Sequence, residues 1–173
     1  MKTNINKTKK AFTLMEVVVI MFILSIGLVA VLSLVRKSSE FESVKKNLLT
    51  ATFLSQEGID IMRNIRDTNI ILGDDYDKWD GITSPLVGDT YYYKVDYLSL
   101  LATTTVDIDT SLLQLDNGMF VHLSGGEDSI FKRMISVTPN SNGYTHVESW
   151  VEWFERGQAY DFKLETIIYD LSN

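Results

Sequence analysis

From Val17 to Val35 the chain runs for 19 residues without a charged side chain. As a helix that run is about 28 Å long, close to the roughly 30 Å hydrocarbon core of a bilayer. The residues before it carry Lys2, Lys7, Lys9 and Lys10 and no acid. This asymmetry leaves the amino terminus in the cytoplasm and the rest of the chain outside, and Arg36 and Lys37 weaken it without cancelling it. At the head of the run stands Glu16. An ionised side chain costs about 2.5–3.5 kcal/mol at the centre of a span on insertion scales, and less near its edge. Such a residue is usually functional and paired.

Length and charge leave alternatives open. A secretory signal peptide has a shorter apolar stretch followed by a small-x-small cleavage site. Here no Ala-x-Ala pattern follows the run. A plain signal anchor accounts for the lysines and the apolar run, and on those features alone it is the simpler reading. It gives Glu16 no purpose.

Lys9-Lys10-Ala11-Phe12-Thr13-Leu14-Met15-Glu16 and the apolar run behind it resemble the prepilin signal of type IV pilins and pseudopilins. The resemblance covers about the first fifth of the chain. It implies that a membrane peptidase cuts between Ala11 and Phe12, and that Phe12 is then N-methylated. It also makes Glu16 the glutamate that family members use in assembly. Ala11 departs from the Gly usual before the cut. The implied partners are a prepilin peptidase/N-methyltransferase, other pilin subunits reached through the amino-terminal helix, and membrane lipid before assembly. No cofactor is implied.

Cleavage would leave an ammonium on Phe12, costly in lipid without a partner. Glu16 lies four residues on, about one helical turn. The spacing lets it neutralise its own terminus or that of a neighbouring subunit, and the resemblance implies the second.

Beyond Val35, Phe41, Val44, Leu48 and Ala51 recur at spacings of three and four, and Leu54, Ile61, Met62 and Ile65 extend the stripe towards Arg66. Between them lie Lys45, Lys46, Asn47, Gln56, Glu57 and Asp60, a polar face. Gly58 weakens the middle. A continuous helix from Phe12 to about Arg66 would be roughly 80 Å long. Ser25, Gly27 and Ser33 read as small residues of a membrane helix, or as a place where it loosens. The segment 56–70 resembles the end of the long helix in minor-pilin-like proteins; residue by residue, Arg63, Arg66 and Asp67 read as solvated.

After Ile70 the composition changes. The segment 73–89 holds five acids, three glycines and a proline and reads as a loop. Asp74, Asp75, Asp77 and Asp80 do not match an EF-hand in spacing and read as solvated acids rather than a calcium site. Tyr91–Tyr97 is β-prone, Asp116-Asn117-Gly118 marks a hairpin, and turns are expected at 138–143 and 155–158. In the last strand Tyr160, Phe162, Leu164, Thr166 and Ile168 alternate with Asp161, Lys163 and Glu165. Trp150 and Trp153 among Glu148, Glu152 and Glu155 can mean a sugar site or glycosidase; core-filling tryptophans with solvated glutamates is the reading preferred. His122 reads as structural.

The expected class is α+β: a long amino-terminal α-helix, transmembrane in its first half and amphipathic in its second, packed on an antiparallel β-sheet head. The expected organisation is a leader at 1–11, a membrane or filament-core half-helix at 12–35, an amphipathic half-helix at 36–70 and a β-rich head at 71–173. The absence of cysteine excludes disulfides and thiolate sites, and a net charge of -7 argues against nucleic acid. The function expected is a structural, non-enzymatic subunit, a minor pilin or pseudopilin. It starts in the cytoplasmic membrane with its head outside and ends in an extracellular or periplasmic filament. An uncleaved, single-pass anchored binding protein is the alternative, and a tethered enzyme a third.

Overall fold

In the computed structural model of the chain, the described residues are 13–169 apart from 76, 80, 82–83, 98–100 and 123–124. They fall into two compact units, one up to Ser43 and one from Val44 onward. The first unit holds the beginning of a 59-residue helix, α1, Leu14–Leu72. Every residue from Thr13 to Glu42 is exposed. No apolar residue of this stretch has a protein surface to bury against.

In the second unit α1 turns a stripe inward: Ala51, Leu54, Ser55, Gly58, Ile59, Met62, Ile65 and Asn69 are buried, at spacings of three and four. Burial begins at Ala51; Phe41 and Leu48, expected on the same stripe, stay exposed. The helix also runs past Arg66 to Leu72. It stops at a left-handed Gly73 (φ 77°), where Gly73 N–H donates to the Ile70 carbonyl at 3.2 Å and Asp74 N–H to the Asn69 carbonyl at 2.9 Å. These bonds satisfy carbonyls that a helix end leaves open, and glycine adopts the required conformation without a steric penalty.

The rest of the unit is one antiparallel, seven-stranded sheet. Its strands are β1 (Tyr91–Lys94), β2 (Thr103–Thr104), β3 (Leu112–Asp116), β4 (Met119–Val121), β5 (Glu127–Asn140), β6 (Tyr144–Glu155) and β7 (Gln158–Tyr169), with a short 3-10 turn at Ile108–Thr110. β6 lies between β5 and β7. On its other side β5 pairs first with β3 and then with β1. β4 continues outward from β3, and β2 from β1.

The hairpins have the backbone their sequences demand. Asn117 and Gly118 both have positive φ, as do Arg156 and Gly157, which suits two-residue turns that follow the twist of the strands. The third expected turn is shorter than its sequence suggests. β5 continues through Thr138 and Pro139 to Asn140, with Pro139 opposite Thr145. Pro139 lies beyond the last β1 pairing at Val137, so its missing N–H breaks no ladder bond. β1 in turn ends at Lys94, short of Tyr97, because Val95 and Asp96 are drawn into bonds with Arg133 and His122.

Alternation sorts each long strand into two faces. In β6, Thr145, Val147, Ser149, Val151 and Trp153 are buried, while His146, Glu148, Trp150 and Glu152 are half-exposed on the other face. The buried face meets the α1 stripe in two apolar clusters. One gathers Ile59, Met62 and Ile65 with Tyr93, Ile135, Val137 and Val147. The other gathers Ala51 and Leu54 with Leu113, Phe131, Val151 and Trp153. Trp79, from the acidic loop, is fully buried in the first cluster. Asp74 and Asp75 of the same loop are exposed, while the indole closes the core. The glycine that weakens α1 by propensity also has a packing role. A Cβ on Gly58 would lie 2.8 Å from both Ile135 Cδ1 and Ser149 Oγ, so its bare Cα allows the helix to approach the sheet this closely.

Candidate functional site

The residues singled out at the amino terminus fall on both sides of the described boundary. Ala11 and Phe12 lie outside the described residues. Thr13 caps α1: its Oγ1 accepts from Glu16 N–H at 3.3 Å, and its carbonyl from Glu16 N–H at 3.1 Å and Val17 N–H at 3.2 Å. Thr13-x-x-Glu16 is the spacing of a capping box, a signal present in the sequence that was not read from it. Glu16 therefore sits, exposed, in the first turn of the helix, where the unpaired N–H groups favour a carboxylate.

Behind it the apolar segment is long and apolar enough to cross a membrane. Its hydroxyls are satisfied within the helix: Ser25 Oγ donates to the Met21 carbonyl at 2.7 Å and Ser33 Oγ to the Val29 carbonyl at 3.0 Å. That bonding lowers the cost of carrying serine in lipid. Gly27 lies in unbroken helix with open space around it. The geometry matches ordinary small residues of a membrane helix.

In the second unit the structure assembles a group that sequence reasoning missed. Arg133 of β5 is completely buried. Its guanidinium donates to the Leu54 carbonyl at 3.1 Å and the Val95 carbonyl at 2.6 Å, and lies 3.2 Å from Glu57 Oε2 and 3.9 Å from Asp96 Oδ1. Burial pushes Arg133 down from its ordinary pKa, while the charges of Glu57 and Asp96 pull it back up. His122 completes the chain. Asp96 Oδ1 accepts from its backbone N–H at 2.9 Å and lies 2.8 Å from its Nδ1, and its Nε2 is 3.1 Å from the Arg133 carbonyl. Burial pushes the Asp96 carboxyl up, but the hydrogen bonds and charge of His122, with the charge of Arg133, outweigh it and hold the group below its ordinary value. These four side chains tie α1 to β5 and to the segments after β1 and β4. They form a fastening at the margin of the core, in which the His122 ring is held between Asp96 and the Arg133 carbonyl.

The other marked residues separate. Trp153 is in the core, stacked on Tyr160 at 5.6 Å between ring centroids. Trp150 shares the opposite face with Glu148 and Glu152, so the reading of both tryptophans as core fillers is corrected for Trp150. The physical reason is strand parity: residues three apart point to opposite faces. In the acidic loop Asp75 pairs with Lys78 at 3.1 Å, and Asp80 lies outside the described residues. Arg63 and Asp67 are exposed, whereas the Arg66 side chain is mostly covered and bonds Asp67 at 2.6 Å.

The prokaryotic N-terminal methylation motif matches residues 6–32, which includes the Ala11-Phe12 junction, Glu16 and most of the apolar run. Comparison with curated proteins and with solved structures returns no match. The motif implies processing by a prepilin peptidase and assembly with other pilins, points to a structural rather than an enzymatic role, and fits a membrane-anchored, type IV pilin-like subunit. The chain therefore carries the amino-terminal signature of type IV pilins and pseudopilins on an apolar anchor helix, followed by the α+β architecture consistent with a pilin.

Proposed function

We propose that this chain is a minor pilin or pseudopilin of a type IV pilus-like filament. It is inserted in the cytoplasmic membrane with its head outside and cut between Ala11 and Phe12. It is then N-methylated on Phe12 and drawn through its amino-terminal helix into an extracellular or periplasmic filament. The observation that carries this reading is the methylation motif at residues 6–32 directly on a helix whose residues are exposed from Thr13 to Glu42. A membrane first, and a bundle of like helices later, would each cover that surface.

Glu16 supplies the register in this scheme. It sits one turn from the new terminus, and in a bundle its carboxylate meets the Phe12 ammonium of a neighbouring subunit. The head's lack of cysteine leaves its stability to packing and to the Arg133 fastening.

Mass spectrometry of the native protein from membrane and filament fractions tests the reading. The expected mature chain begins at N-methyl-Phe12. An intact Met1 terminus in both fractions would overturn it and leave the uncleaved, single-pass anchored protein.

A further inference from the structure

The sheet face turned away from the α1 stripe carries a groove of about 360 Å³. Trp150 of β6 lies at its centre, with Met134 of β5 on one side in register and Lys163 of β7 on the other. One register step along are Ser136 and Glu148, and Tyr92 of β1 stands beside Ser136. The segment 106–108, including Asp107, also lines the groove. Lys163 Nζ rests 4.8 Å from the centre of the Trp150 ring and donates to Glu148 at 3.1 Å.

Nothing in the anchoring or assembly scheme uses these residues. From their chemistry we infer that the groove is a binding site for a neutral saccharide. An indole half-exposed in a concave surface offers an apolar ring face, and a sugar ring offers C–H bonds to lie on it. Around that face the groove presents both kinds of hydrogen-bonding partner. Glu148 and Asp107 accept, Lys163 donates, and Ser136 and Tyr92 do either. A polyhydroxylated ligand uses all of them at once.

A net negative charge on the ligand is disfavoured. The Lys163–Glu148 pair is neutral as a unit, so Asp107 leaves the groove with a net negative charge, which a neutral ligand tolerates and an anion does not. The Lys163 side chain is 45% exposed, so its tip exchanges the indole face for a ligand hydroxyl without leaving water. The groove volume falls at the small end of small-molecule sites, which suits one or two sugar rings of a longer chain.

The site lies wholly in the head, so it is tested independently of leader cleavage. The full chain is purified in a phosphocholine detergent, which carries no sugar of its own. It is titrated with cellotetraose, maltotetraose and tetra-N-acetylchitotetraose by calorimetry and by tryptophan fluorescence. Trp79 and Trp153 are at most 2% exposed, so a fluorescence response to sugar reports Trp150.

The expected result is saturable binding of at least one of these probes. Trp150→Ala should weaken it about tenfold or more, and Glu148→Gln several-fold. Oligogalacturonate should bind more weakly than the neutral probes. The proposal is overturned if no neutral probe gives a saturable response up to about 10 mM in a cooperatively folded protein. Binding that Trp150→Ala leaves unchanged also overturns it. Should that variant fail to fold, Trp150→Phe and Glu148→Gln decide: unaltered affinity in both refutes the site.

Discussion

Replacing Arg133 by Met removes the charge at the centre of the head and keeps most of the side-chain volume. The Val95 carbonyl then loses its donor at 2.6 Å, and the Leu54 carbonyl loses the one at 3.1 Å while keeping its place in the helix ladder. Asp96 keeps His122, while Glu57 is left facing an apolar tip. Breaking a buried ion pair by removing one partner costs about 3–5 kcal/mol, and the stranded Val95 carbonyl about 1–3 kcal/mol. These costs overlap, because one guanidinium serves all four acceptors. Part is offset, since Arg133 itself is fully desolvated and its burial works against its charge. A net loss of about 3 kcal/mol is expected, a large share of the roughly 5–15 kcal/mol that holds a domain together. For a head of this size that is roughly a 10 °C fall in Tm. Glu57→Gln should cost less than about 1 kcal/mol, because the Glu57 side chain is 35% exposed and its pairing is screened. The assay is thermal unfolding of the full chain in detergent, followed by near-ultraviolet circular dichroism. If the Arg133→Met variant melts within about 2 °C of the parent, or above it, the argument is refuted, because well-packed apolar replacement of a buried ion pair can be neutral.

Glu16→Leu should leave membrane insertion and leader cleavage intact and reduce entry into sheared filaments about a hundredfold, with Glu16→Gln milder; equal recovery of the Leu variant in the fibre contradicts the pairing argument. Gly58→Ala gains about 1 kcal/mol of helix propensity but forces a Cβ to 2.8 Å from Ile135 and Ser149, where overpacking costs about 1–3 kcal/mol. A net loss of about 1 kcal/mol should appear as a lower urea midpoint, and a raised midpoint would show that the core yields. Asp96 has a folded pKa below its unfolded value, so its contribution is present above about pH 4 and is lost as pH falls through the lower folded value. Stability measured from about pH 5 to about pH 2 should therefore fall less steeply in Asp96→Asn than in the parent; identical slopes would remove Asp96 from the acid response.

Local signals carried much of this protein. The uncharged run, the basic leader and the Phe12–Glu16 spacing are contiguous in the chain, so the anchor and the motif are legible without a fold. The strands of the head announce themselves by period two, and Asn117-Gly118 and Arg156-Gly157 by turn chemistry, because a turn needs only its own backbone. Two further local signals were present and passed over: Gly73 as the helix stop, and Thr13 as the cap for Glu16. The parity of Trp150 and Trp153 was a third, since an odd separation in a strand sends two side chains to opposite faces.

Other features have no local signature. Nothing in the sequence around Arg133 sets it apart from other cations in strands. It is buried because carbonyls from Leu54 and Val95, distant in sequence, and carboxylates of Glu57 and Asp96 converge on it once α1 lies across β5. Trp79 sits among acids and reads as loop, yet it is fully buried in the cluster that holds Tyr93 and Ile135. Gly58 reads as a weak point of a helix and proves to be a place of close approach to the sheet. The groove at Trp150 is assembled from four strands and a loop. The sequence by itself thus determined the anchor, the motif and the succession of elements, since these depend on neighbours along the chain. The tertiary structure alone decided which charge, which tryptophan and which glycine matter, because burial and contact are set by residues far apart in sequence.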